Sequence, residues 1–317
     1  MRHAHYLLTF AAFACAPSVA EIEAVDAAPV EEAQSELKRI PSQDRPETVD
    51  VGSWNVEWFG DAEEGPADEA KQQANVARVL RETDLDLVGL VEVVSEQALR
   101  DAVATMPGHA VLNVTDALVE NGAAYYRPSE QKVALVYKTR FTVESARVVL
   151  TEASTLFAGR PPLEVKLRWA ESGRARTMIV VVAHFKAMAN WDGWNRRTQA
   201  AAALKTWLDA TYASRWVLVI GDFNDDLDAS TYWGRTSPFA NFTADPAYRF
   251  TTDALTAGQI PTTVHYANTI DHHLATNELA ARFVEGSAQV IGVDAFITGY
   301  GETTSDHYPV LTRYDLR

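Results

Sequence analysis

Short apolar runs rich in β-branched residues recur at positions 51–56, 87–91, 133–137, 179–183, 217–220 and 309–312. Runs of that length, apolar almost throughout, predict strands buried on both faces. Residues 163–169 (LEVKLRW) alternate strictly instead, which predicts a strand with one wet face. Helical patterns lie between the runs. Residues 66–82 open on Pro and acids and carry Ala70, Ala77 and Leu80 at near-helical spacing. Residues 95–105 start at a Ser N-cap, with Leu99 and Val103 four apart, and residues 195–210 set Ala200, Ala203, Leu204, Trp207 and Leu208 on one side. Strand outweighs helix, and the mixture predicts an α/β fold. Residues 227–263 have no clear period and hold Tyr232, Trp233, Phe239, Phe242, Tyr248 and Phe250. A loop that long is functional or hides short elements, and its aromatics either pack beneath it or offer faces for a base or sugar.

The N-terminus reads differently from the body. Arg2, His3 and His5 precede an apolar run at 6–14 and the small residues Ser18-Val19-Ala20, the pattern of a signal peptide over 1–20. That run is too short for a permanent membrane anchor, which needs about 20 apolar residues. Cys15 admits a second reading, in which it becomes a lipidated N-terminus. Residues 21–48 are rich in Glu, Ala and Pro without aromatics, the composition of an acidic flexible linker, and 49–317 form the body.

Composition narrows the class. With 43 acidic and 28 basic residues the net charge is −15, on 47% hydrophobic content, which fits a globular protein and excludes a disordered or collagen-like chain. The acidity argues against non-specific coating of nucleic acid but leaves room for a local basic strip. A single cysteine, Cys15, excludes a disulfide scaffold and a Cys-based zinc site in the body. Cleavage after Ala20 would leave no thiol, which suits an exported protein in an oxidising compartment.

Polar residues gather where apolar runs end. Asn55 and Glu57 follow the first run, Glu92 the second, His184 closes 178–183, Asp222 and Asn224 terminate 217–220, and Asp306-His307 precede 309–312. Strand ends of a sandwich converge on one rim, so these groups can meet. Carboxylates, amides and imidazoles without a thiol are the donor set for a hard cation, Mg²⁺ or Mn²⁺.

Ser53-Trp54-Asn55-Val56-Glu57, Leu90-Val91-Glu92-Val93, Ala183-His184, Gly221-Asp222-Phe223-Asn224, Ile270-Asp271 and Ser305-Asp306-His307 occur in the order that marks the endonuclease/exonuclease/phosphatase superfamily, which the chain resembles. The chain departs from the usual pattern at Val91, where the family has Gln, and at His272-His273, which read as local packing and surface rather than ligands. The resemblance implies a DNase I-like fold, a four-layer sandwich of two packed mixed β-sheets flanked by helices. It also implies Glu92 as principal ligand of a Mg²⁺ (or Mn²⁺), helped by Asn55, Glu57 and Asp306. Asp222 would then align or deprotonate the attacking water, with Asn224 orienting phosphate. His307 would contact phosphate with Asp271 behind it, and His184 would act from the other side of the phosphorus.

Lys186, Arg196 and Arg197 lie at the helix start beyond His184, where they could meet substrate phosphates, and Trp191 and Trp194 could stack on bases or pack. The leading expectation is an exported, metal-dependent phosphodiesterase acting on nucleic acid as a nuclease. The alternatives are a phosphatase or sphingomyelinase-like hydrolase of small or lipid phosphoesters, and an inactive exported binding module. Nothing in the chain implies a stable protein partner, and a monomer is expected.

Overall fold

Side-chain alternation along the strands decides which residues face which layer, and the result is a four-layer sandwich. The computed structural model describes residues 38–317 apart from Ala62 and Ser172. The expected signal peptide and the linker as far as residue 37 lie outside the described residues. In chain order the first half contains β1 (Val49–Phe59), α1 (Glu69–Thr83), β2 (Leu87–Val93), α2 (Glu96–Ala104), β3 (His109–Asn113), β4 (Val119–Glu120), α3 (Gly122–Tyr125), β5 (Lys132–Lys138), β6 (Thr142–Val148) and β7 (Leu163–Glu171). There follow β8 (Arg174–His184), α4 (Trp191–Thr211), β9 (Val217–Asp222), α5 (Ala240–Thr243), β10 (Tyr248–Phe250) and α6 (Asp253–Ala257). The chain ends with β11 (Asp271–Thr276), α7 (Asn277–Ala280), β12 (Gln289–Val290), α8 (Tyr300–Thr303) and β13 (Val310–Tyr314).

A six-stranded sheet runs β12-β13-β1-β2-β5-β3 and a seven-stranded one β10-β11-β9-β8-β7-β6-β4, both mixed. Alternate residues of each strand serve two cores, because successive side chains point to opposite faces. Val51, Leu87 and Val91 of the first sheet meet Val180, Val182, Leu218 and Ile220 of the second. On their outer faces Trp54, Val88 and Leu90 pack under α1 and α2, while Ile179, Val181 and Val219 pack under α4. Each Val or Leu fully buried this way contributes about 1.5–3 kcal/mol. The three long helices, α1, α2 and α4, start at capping side chains: Asp68 and Ser95 accept from Lys71 N and Ala98 N, and Asn190 from Gly193 N at 2.8 Å. The Asn190 cap explains why α4 begins before the expected position 195.

Residues 38–48, assigned to linker by composition, pack on the body instead. Ile40 is buried, Gln43 N donates to Thr83 O at 2.8 Å, and Arg45 N donates to Asp50 Oδ2 at 2.7 Å. The body therefore begins before residue 49. Within 227–263, α5, β10 and α6 are the short elements that had no readable period. Phe239, Phe242, Tyr248 and Phe250 are buried among them, in the core beneath α4. Tyr232 and Trp233 are not in that core.

Candidate active site

Strand direction brings the candidate residues to one rim. β1 is parallel to β2 and β8 to β9, so Asn55, Glu92, His184 and Asp222 all sit toward C-terminal ends. β11 and β13 run antiparallel to β9 and β1, which puts Asp271 opposite Asp222 in register and His307 just before the first residue of β13 that pairs with β1. Irregular backbone then aims the side chains. β1 carries a register shift between Asn55 and Phe59 and β2 one between Val91 and Val93, and Glu57, Glu92 and Asn224 all hold positive φ, 46°, 65° and 56°. Bulges and left-handed residues carry strain, and they concentrate where a side chain must be turned toward a site.

The side chains form one connected cluster. Asn55 Nδ2 donates to Glu92 Oε1 at 3.0 Å and to Asp222 Oδ2 at 3.2 Å, while its Oδ1 accepts from Glu57 N. Glu57 Oε2 accepts from Asp306 N at 2.8 Å. Asn224 Nδ2 donates to Asp222 Oδ2 at 2.8 Å and to the Phe185 carbonyl, and Asn224 N donates to Asp222 Oδ1. His307 Nδ1 donates to Asp271 Oδ2 at 2.9 Å, and its Nε2 stands 3.9 Å from both Asp222 and Asp306. His184 Nε2 is 3.5 Å from Asp222 and 3.6 Å from Glu92. Both nitrogens of that buried ring lack a hydrogen-bond partner.

Environment separates the roles of these groups. Burial pushes Asp222 up to about 7 against the pull of His307, and burial with the Asp306 carboxylate pushes Glu57 up to about 7. Burial raises Glu92 as well, although the Asn55 hydrogen bond opposes it. His307 behaves oppositely: burial alone would lower it, but Asp271 and Asp222 outweigh burial and hold its pKa well above the ordinary value. Burial, with Arg160 and His307 nearby, holds His184 well below its ordinary value, so it is neutral. Near neutral pH the rim therefore presents one imidazolium, one neutral imidazole and carboxylates that resist ionising together.

Those carboxylates fit a divalent ion. Asp306 raises the charging cost of both Glu57 and Glu92, Glu92 adds to that of Glu57, and the unpartnered His184 ring stands 3.6 Å from Glu92. A hard cation would relieve that repulsion through oxygen donors. Asp222, Asp271 and His307 also lie within metal-ligand distance of one another. His307 already pairs with Asp271 there, although Asp271 Oδ1 keeps no partner, and among the described residues Glu57, Glu92 and Asp306 do not form so tight a group. The grouping of Asp44, Asp50 and Asp86 is likewise matched by Lys138, Arg140 and Arg313.

The basic residues divide. Lys186 stays beside the cluster, half-buried and lowered by burial and by the charges of Arg196 and Arg160. Arg196 instead donates to the Thr155 carbonyl and pairs with Asp192 at 3.3 Å. Arg197 is fully buried, ion-paired with Asp225 at 2.8 Å, and donates Nε to Asp225 Oδ2 at 3.0 Å and Nη1 to the Lys186 and Met188 carbonyls. The expectation that Arg197 meets phosphate is corrected, because its guanidinium is fully buried against Asp225, whereas Arg196 remains partly exposed beside the exposed Asp192. His272 and His273 are buried packing groups as expected, and neither reaches the surface. His273 bridges Thr312 Oγ1 and Ser53 Oγ, and His272 meets Asp225 O and Thr252 Oγ1.

Arg160 was not foreseen. It is buried between the 3₁₀ segment Thr151–Phe157 and β7, feels the charges of Glu92 and Asp222, and keeps its Nε without a partner. The sequence signal was slight: an arginine in Gly159-Arg160-Pro161-Pro162, directly before an alternating strand.

A family model described as "Endonuclease/Exonuclease/phosphatase family" matches residues 52–307. Among curated proteins, none matches significantly. A humanized D. rerio TDP2 carrying 14 mutations is similar in fold, with a TM-score of 0.60 and 13% identity over 84% of this chain and 99% of that one. The Bacteroides vulgatus endonuclease/exonuclease/phosphatase gives a TM-score of 0.59 at 16% identity, covering 85% of this chain and 99% of its own. An AP endonuclease from Archaeoglobus fulgidus gives 0.57 at 14% identity, covering 84% and 100%.

Proposed function

The chain belongs to the endonuclease/exonuclease/phosphatase family, whose members are hydrolases of phosphoester bonds, and from that premise we propose that it is an exported, Mg²⁺- or Mn²⁺-dependent phosphodiesterase that cleaves nucleic acid. One observation carries the reading. Glu92, Asp222 and His307 share a single cluster, tied by Asn55 between Glu92 and Asp222 and by the imidazole approach of His307 to Asp222. The choice of nucleic acid draws on the similarity in fold to TDP2 and to an AP endonuclease, as relatives rather than as identities.

Asp222 is the proton acceptor. Its carboxyl, raised to about 7, is poised near neutrality, and the two Asn224 donors and Asn55 fix its orientation. A general base works best when its pKa lies near the working pH. His307, kept protonated by Asp271, cannot take that proton and instead donates toward a phosphate oxygen. Neutral His184 offers an N–H from the side of Glu92, and Arg160 and Lys186 add positive potential. Held by Glu92 with Glu57, Asp306 and Asn55, a divalent ion would neutralise charge developing on the phosphoryl oxygens.

Export rests on the pattern of residues 1–20 and on a body without cysteine. Mass spectrometry of the mature N-terminus separates a free Glu21 from a lipidated Cys15. Activity is tested by presenting plasmid DNA, RNA, sphingomyelin and inositol phosphates side by side, with Mg²⁺ and with chelator. Metal-dependent cleavage of DNA or RNA that disappears in Asp222→Asn is the expected result. Release of phosphate or phosphocholine alone would overturn the nuclease reading.

A further inference from the structure

Beyond the catalytic cluster, the segments that leave β8 and β9 at its rim carry an aromatic strip. Two segments supply it: the stretch leaving β8 after His184 into α4, and the turn that follows Asp222 and Asn224. The Arg235 guanidinium lies 5.1 Å over the Trp194 ring and 5.2 Å over Tyr232, and Tyr232 stacks on Trp233 with centroids 4.9 Å apart and planes 27° from parallel. The order Trp194, Arg235, Tyr232, Trp233 is thus a ladder of planar groups, closed by Trp194 Nε1 donating to the Thr236 carbonyl at 3.0 Å. Its last rung is open. Trp233 is 84% exposed, and Trp191 and Met188 nearby in the other segment are 56% and 64% exposed.

The ladder is held, not loose. Asp225, next to Asn224, accepts from Ser230 Oγ at 2.8 Å and Thr231 N at 2.6 Å while paired with buried Arg197. Ser230 N to Arg235 O and Gly234 N to Ser230 O close the turn. Trp233 sits at φ 56°, where a bulky side chain is rare. The same buried Arg197–Asp225 pair therefore fixes the loop after Asp222, the loop after His184 and the base of the ladder.

We propose that this ladder is a stacking platform for unpaired bases, so that the enzyme selects single-stranded nucleic acid, or frayed ends. The inference rests on the phosphodiesterase reading above and sharpens its substrate. A chain of net charge −15 gains little from phosphate attraction alone. Stacking supplies affinity that tolerates any sequence, because every base has a π-face, and the sandwiched guanidinium adds a cation to it. Within a duplex those faces are covered by neighbouring pairs. The turn is also polar on both sides of its aromatics (Ser-Thr-Tyr-Trp-Gly-Arg-Thr-Ser), unlike an apolar tip built to enter lipid.

The test compares the wild-type chain with Trp233→Ala and Trp233→Phe. In chelator, where nothing is cut, anisotropy of a labelled single-stranded oligonucleotide should report binding about tenfold weaker in Trp233→Ala and nearly restored in Trp233→Phe. With Mg²⁺, Trp233→Ala should raise KM for the single strand by a similar factor. Its turnover of bis(4-nitrophenyl) phosphate should not change. Equal loss on single strand and duplex, or no loss on either, overturns the platform. So does partition of the wild type, dependent on Trp233, into phosphatidylglycerol vesicles without oligonucleotide binding. Failure to hydrolyse bis(4-nitrophenyl) phosphate at all would instead count against the phosphodiesterase reading, and the anisotropy result would stand apart from it.

Discussion

Asp222 and His307 hold their protons in the opposite sense to free aspartate and histidine, and the proposed chemistry rests on that inversion. Activity should therefore follow a bell. It rises as Asp222 ionises near pH 7 and falls only when His307 loses its proton, well above the ordinary histidine range. Replacing Asp271 by Asn removes the nearest charge that raises His307, so the alkaline limb should move to lower pH. A pH–rate profile of Asp271→Asn with an unmoved alkaline limb would contradict the pairing. Asp222→Asn should lower kcat by about 10²–10⁴-fold, the span of general-base contributions. Most of the cluster could be read from polar residues at the ends of apolar runs, whereas Asp271 came only with the family resemblance, because the strand it opens has no apolar run. The arginines could not. Arg197 and Arg160 differ in their surroundings, Asp225 beside one and Glu92 and Asp222 beside the other, and side-chain surroundings are a property of the fold.

At the scale of elements, the strands that the sequence made plain are those whose two faces are both apolar, such as β2, β8 and β9. β11 (DHHLAT) was missed because its buried positions are histidines. Imidazoles count as polar in any pattern, yet here Thr312, Ser53 and Thr252 satisfy them inside the core. The close approach of β8 and β9 is set by Gly221: its φ is 136°, and a Cβ there would stand 2.1 Å from the Ala183 carbonyl oxygen. Gly221→Ala should push the strands that carry His184 and Asp222 apart, lowering both Tm and kcat. A variant with wild-type Tm would show that the contact yields cheaply. Asp225→Ala leaves Arg197 charged and unpaired in the interior. It should cost about 3–5 kcal/mol in chemical denaturation, and a loss below 1 kcal/mol would contradict the structural role given to the pair.

The whole molecule couples its stability to protonation. His273, pushed down to about 3 by burial, stays neutral in the folded chain while the unfolded chain takes up a proton near pH 6.5, so stability falls as pH drops below that value. Glu57, raised to about 7, has the reverse effect. The folded chain holds its proton more tightly than the unfolded one, and stability is lost as pH rises from about 4.5 to about 7. An ion among Glu57, Glu92 and Asp306 would cancel that second loss. Mg²⁺ should therefore raise Tm by a few degrees at pH 8 and scarcely at pH 5 in calorimetry, whereas a shift independent of pH would contradict the assignment. The most direct measurement is anomalous diffraction from crystals soaked in Mn²⁺. The account predicts a peak bonded to the Glu92 carboxylate and to Glu57 or Asp306, facing Asp222 and His307 across the space where phosphorus would lie. A peak confined to Asp44, Asp50 and Asp86, one enclosed by Asp222, Asp271 and His307, or none at saturating Mn²⁺, would contradict it.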